Sequence, residues 1–152
     1  MRELEEREKR RKNVIMYNIP ESDAEEPETR VQEDKYKAIE IADILNTEID
    51  PSKTVRLGVR SEENNRPRPL RLSIQDTKTR DTLLSNAKDL RKSNNETAKN
   101  VFIKMDQTRM QRAEEKKLLE QRNELREEAK SAGDNSHIWI IRKVKVIKVK
   151  NT

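Results

Sequence analysis

Apolar residues along this chain come in short bursts, at 14–19, 38–45, 55–59, 70–74, 83–90, 101–105 and 138–149, with charged and polar punctuation between them. The first burst, "NVIMYNIPE" from Asn13 to Glu21, alternates like a strand yet carries large side chains on both faces: Val14, Met16 and Asn18 on one, Ile15, Tyr17 and Ile19 on the other. A strand covered by a helix on one side needs a single apolar face, so the face bearing Ile15 and Tyr17 calls for a second explanation. Downstream, "VQEDKYKAIEIADILN" places Ala38, Ile41, Ala42 and Leu45 on one stripe at helical spacing. "TVRLGVR" alternates Val55, Leu57 and Val59 against Arg56, Gly58 and Arg60, and "RPRPLRLSIQ" alternates Leu70, Leu72 and Ile74 against Arg71 and Ser73. These read as two strands joined by the polar loop "SEENNRP". Asp76 or Thr77 can cap a second helix with Leu83, Leu84, Ala87 and Leu90 on its stripe, and "VFIKM" alternates again as a fourth strand.

The predicted order is strand, helix, strand, strand, helix, strand. Short connections and right-handed crossovers fold such a βαββαβ chain into an α/β (α+β) domain of the ferredoxin-like split βαβ plan, a four-stranded antiparallel sheet with both helices on one face. The other face is left open. By strand parity it displays Ile15 and Tyr17, Arg56 and Arg60, Arg71 and Ser73, and Phe102 and Lys104. After the sheet, Asp106 and Thr108 stand where an N-cap belongs for a helix from about Arg109 to Ala132, which Gly133 can end. The tail "HIWIIRKVKVIKVK" is rich in β-branched residues and predicts a short β hairpin turning near Arg142 and Lys143. Before the sheet, Glu3 to Lys12 interleaves acidic and basic residues with Leu4 as its only aliphatic, the pattern of a solvated helical stub.

Composition narrows the function classes. With 31% of residues hydrophobic and 41% charged, the core must be thin and the helices narrowly amphipathic. The chain contains no cysteine, which removes disulfides, thiolate metal sites and cysteine nucleophiles together. No run reaches the roughly eighteen apolar residues of a membrane span, and the charged start is unlike a signal peptide, so a cytoplasmic or nuclear protein is expected. The net charge of +5 is unevenly spread: residues 21–50 hold eleven acidic and three basic side chains, residues 51–104 six acidic and thirteen basic. Positive charge collected on particular elements is what an anionic polymer requires.

Catalytic chemistry finds no residues to carry it. The single histidine, His137, stands beside Trp139 in a strand pattern without a partner set, and the two glycines make no phosphate-cradling loop. Asp23, Glu25, Glu26 and Glu28 lack the ligand spacing and central glycine of a calcium loop. No catalytic residues, metal or cofactor are therefore expected. What remains is the open face, where rings interleaved with cations are suited to stacking single-stranded bases and neutralising phosphates. The competing expectation is a protein-interaction module that uses the same face and the terminal helices for assembly.

"VIMYNI" resembles the short first-strand motif of RNA-recognition-motif domains, with Ile15 where that motif usually has an aromatic, and Pro69 and Arg71 stand where its third-strand aromatics normally stand. The order of blocks "ELEEREKRRKN", "VIMYNIPES", "VRLG", "RPRPLRL", "LLSNAKDL" and "VFIKMDQTRMQR", ending in a basic strand region, is similar to first-open-reading-frame proteins of LINE-type retrotransposons over nearly the whole chain. The resemblance implies a sequence-tolerant single-stranded RNA-binding protein that coats its element's RNA as a ribonucleoprotein, with single-stranded DNA as a second ligand and nucleic-acid chaperone activity. It implies residues 1–12 as the stub of a coiled coil, 13–106 as an RNA-recognition-motif-like domain, and 107–152 as a C-terminal helix plus basic strand module that clamps RNA. Contacts are expected from Arg66 and Arg68 of the hairpin, from Arg109 and Arg112 at the helix start, and from Arg142, Lys143 and Lys145 of the tail. Family members trimerise through the preceding coiled coil; the stub here offers no repeating apolar seam, so the chain alone is expected not to form a stable trimer.

Overall fold

The computed structural model describes residues 2–60, 66–133, 136–142 and 145–150, the last two spans without the side chains of Arg142 and Lys145. The chain divides into two compact units, Met1–Asp106 and Gln107–Thr152. The first opens with α1 (Arg2–Arg10), laced by i,i+4 ion pairs such as Arg7–Glu3 at 2.8 Å, and continues as β1 (Asn13–Tyr17), α2 (Pro27–Ile44), β2 (Thr54–Arg56), β3 (Leu70–Ser73), α3 (Thr77–Asn86) and β4 (Phe102–Met105). Two 3₁₀ segments, Ala87–Lys92 and Ala98–Asn100, join α3 to β4.

The strands form one antiparallel sheet in the order β2-β3-β1-β4. Register places Val14 opposite Leu72 and Met105, and Met16 opposite Leu70 and Ile103. Of these, Val14, Met16, Leu70, Leu72 and Ile103 face inward and pack with Ala38, Ile41, Ala42 and Leu45 of α2 and its C-terminus, Leu83 of α3 and Leu90 just beyond it, while Met105 at the strand end stays exposed. One sheet face thus carries the core of a mixed α+β domain, as the alternation of β1 and β3 predicts. Helix boundaries follow local chemistry. α2 starts at Pro27, earlier than its apolar stripe alone indicates, because proline at the first helical position has the right φ and needs no N–H partner. α3 is capped by Asp76, whose carboxylate accepts the Thr79 N–H at 2.6 Å.

Three expectations are corrected. The alternation of β1 stops at Tyr17, because Asn18 takes φ 70° and turns Ile19 into the helix-side core instead of beside Tyr17; the Asn18 amide donates to the Asn100 carbonyl at 2.8 Å. β2 is only three residues long and has the opposite parity: Val55 pairs with Arg71 and shares its open face, while Arg56 points to the helix layer. Gly58, at φ 93°, then carries the chain out of the strand, leaving Val59 exposed. Asp106 is not a helix cap. Its buried carboxylate accepts from Asn13 at 2.9 Å, and Arg10 is 3.5 Å away, tying α1 and β1 to the end of β4.

In the second unit, α4 (Arg109–Ser131) begins with a reciprocal capping box: Thr108 Oγ1 accepts the Gln111 N–H, and the Gln111 side chain accepts the Thr108 N–H. Gly133 follows the helix at φ 69°, the left-handed conformation that suits glycine there. β5 (His137–Arg142) and β6 (Lys145–Lys150) pair as an antiparallel hairpin, with Trp139 opposite Lys148 and Ile140 opposite Ile147. The Arg126 Nε of α4 donates to the Trp139 carbonyl at 3.0 Å. Among the described residues, no helix is long and apolar enough to cross a membrane.

Candidate nucleic-acid interface

The sheet face turned away from α2 and α3 is built from two adjacent rows. Val55, Arg71, Ile15 and Lys104 stand side by side across all four strands, and the next row pairs Tyr17 with Phe102. Ile15 is 8% exposed although it lies outside the helix-side core. Its register neighbours are Arg71 and Lys104, long side chains whose aliphatic stems can lie along an apolar centre while their charges reach water. Val55 at 44% and Phe102 at 46% exposure leave apolar surface open on either side of that centre.

Each ring of the second row lies beneath a cation. The Lys104 ammonium is 5.9 Å from the centre of the Tyr17 ring, and the Arg91 guanidinium 6.0 Å from that of Phe102. Such contacts contribute about 0.5–1 kcal/mol at exposed sites. A nucleobase stacked on an aromatic side chain is worth about 1–3 kcal/mol, enough to displace the cation from the ring and leave it for a phosphate.

Of the expected contact residues, Ile15, Tyr17, Arg71, Phe102 and Lys104 share this face. Ser73 shares it too, but its hydroxyl donates to Asn13 Oδ1 at 2.7 Å and is committed to the sheet. Arg56 does not belong to it. Its guanidinium donates to both oxygens of Asp34, at 2.8 and 3.1 Å, and to the carbonyls of Ile19, Pro20 and Arg68, so every N–H direction is used. Arg60 lies beyond the strand, exposed, with Nη2 3.3 Å from the Ser22 carbonyl. Arg68 chelates Glu21, its Nη2 and Nε donating to Oε1 at 2.7 and 2.9 Å and its backbone N–H to Oε2. Burial pushes the Glu21 carboxyl up, but the hydrogen bonds and charge of Arg68, helped by Arg56, outweigh it and hold Glu21 below its usual range. Arg66 is exposed at the described edge of the hairpin loop, and Arg109 and Arg112 are exposed in the first turns of α4. Lys143 and the side chains of Arg142 and Lys145 lie outside the described residues.

Two residues of this face are not legible in the sequence. The alternation of Val55, Leu57 and Val59 points Val55 inward, a pattern that β2 does not follow, and Arg91 sits in a 3₁₀ segment with no strand or helix period to point it at Phe102. The face presents two partly exposed rings, a central aliphatic strip and the cations of Arg71, Arg91 and Lys104. A scan against models of known protein families finds no match for this chain, and a search of curated proteins finds none.

Proposed function

We propose that this chain is a non-enzymatic, sequence-tolerant single-stranded RNA-binding protein, with the open sheet face as its principal contact surface. The observation that carries the reading is the Tyr17–Phe102 pair, two rings side by side on neighbouring strands, each beneath a cation and next to the Arg71–Ile15–Lys104 row. Bases stack on the rings, the cations follow the phosphates, and neither interaction reads base identity. The antiparallel order with β1 and β3 at the centre supports a ferredoxin-like fold of the RNA-recognition-motif type. Together with the similarity of the sequence blocks, this favours retrotransposon origin, a coating role on element RNA within a cytoplasmic or nuclear ribonucleoprotein, and chaperone activity.

Fluorescence anisotropy of a labelled unstructured oligoribonucleotide, titrated across salt concentrations, tests the reading. On the order of four to eight phosphate contacts, each contributing about −0.7, give a log–log slope between about −3 and −6. A slope near zero would refute RNA binding through these cations and favour hydrophobic docking of a protein on the face.

A further inference from the structure

We infer that the C-terminal hairpin carries a separate base-stacking site, built on Trp139 and Lys148; this rests on the single-stranded RNA reading above. Register sets Lys148 directly across from Trp139, and its ammonium stands 5.6 Å from the centre of the indole ring. On the same hairpin face the next pair outward is His137 with Lys150, so a second cation flanks the ring along the strand direction. The ring's backbone is anchored: the Trp139 carbonyl accepts from Arg126 Nε of α4, which holds β5 at the residue that bears the indole.

The placement of the chain's other rings gives the inference its weight. There are four aromatic residues in all, and none belongs to the hydrophobic core, which is wholly aliphatic apart from Met16. Tyr17, Phe102 and Trp139 each stand outside it beneath a Lys or Arg. Aromatic side chains are the largest apolar groups available for burial, yet here Phe102 is exposed and Tyr17 and Trp139 are only half-buried. The hairpin therefore repeats the ring-and-cation unit of the sheet face on the other compact unit. Its ligand is a nucleobase with the adjoining phosphate, the base taking the indole and Lys148 moving to the phosphate.

Trp139 is the chain's only tryptophan, so the intact protein reports on the site without substitution. The experiment titrates unlabelled oligouridylate while following indole emission, in parallel with anisotropy of a labelled copy of the same oligonucleotide. Sodium polyphosphate, a polyanion without bases, is titrated as the control. Emission should fall and saturate together with the anisotropy, and polyphosphate should bind without comparable quenching. Trp139→Ala should weaken oligouridylate binding about 5- to 140-fold, the equivalent of one lost stack, with circular dichroism showing a folded chain. Saturated RNA binding with unchanged emission would overturn the hairpin site and leave the sheet-face reading standing. Equal quenching by polyphosphate would also overturn it, by showing that the ring responds to charge alone. Absence of RNA binding in the anisotropy arm would overturn both.

Discussion

Arg56→Ala should destabilise the domain rather than weaken its grip on RNA. The Arg56 and Asp34 side chains are 6% and 7% exposed and meet at 2.8 Å, and the same guanidinium satisfies the Ile19, Pro20 and Arg68 carbonyls. Truncation leaves a carboxylate buried without its countercharge and three carbonyls without this donor. Breaking a buried pair from one side costs about 3–5 kcal/mol, a large share of the roughly 5–15 kcal/mol that stabilises a domain. With a urea dependence of about 2 kcal/mol per molar, the unfolding midpoint should fall by about 1.5–2.5 M, followed by circular dichroism. Arg56→Lys should lie between wild type and Arg56→Ala, because an ammonium keeps the charge but cannot reproduce the planar fork. The double variant Asp34→Leu/Arg56→Met should recover much of the loss, since replacing both partners with apolar groups leaves nothing charged and unpaired. A midpoint shift under about 0.3 M for Arg56→Ala, with a salt slope of RNA binding shallower by about one unit, would place Arg56 on the sheet surface and refute the buried geometry.

Met16→Ala, in the fully buried row facing the helices, should cost about 2–5 kcal/mol in urea unfolding while leaving the RNA salt slope unchanged. Tyr17→Ala should do the reverse, keeping the midpoint and losing about 1–3 kcal/mol of RNA affinity at constant salt slope; melting of this variant alone would mean that β1 is inverted. Arg71→Ala should weaken binding to all sequences alike and flatten the slope by less than about one unit in anisotropy titrations. Acid should destabilise the fold partly through Glu21. Its folded carboxyl binds protons less tightly than the unfolded one, so its contribution is complete above the ordinary carboxylate range and disappears as pH falls through the lowered folded value. Glu21→Gln should accordingly flatten the decline of the urea midpoint across that acid range, and an undiminished decline would show that the Arg68 pair contributes nothing to it.

Where apolar alternation is strong, local sequence was sufficient. Val14 and Met16 on β1, and Leu70 and Leu72 on β3 with Ile74 just beyond it, face the core as their spacing requires, because exposing them by a one-residue slip would turn an entire apolar row to water. The same pressure left Ile15, Tyr17, Arg71, Phe102 and Lys104 on the opposite face, so most of the candidate surface was readable from strand parity. The helix starts were readable to within a residue or two, at Asp76 or Thr77 and at Asp106 or Thr108, since a cap is a bond between near neighbours, and the structure selects Asp76 and Thr108. β2 was not. Its Val55, Leu57 and Val59 imitate a buried strand, but a three-residue edge strand takes its face from the partner it pairs with, and pairing with β3 sets Val55 beside Arg71. Arg56 then makes five hydrogen bonds, two to Asp34 of α2 and three to the Ile19, Pro20 and Arg68 carbonyls, which outweigh the preference of a valine for burial. Arg91 reaches Phe102 through the same kind of long-range placement. Periodicity along the chain determines which residues want burial; which cations stay free for a ligand depends on acceptors that only folding brings within reach.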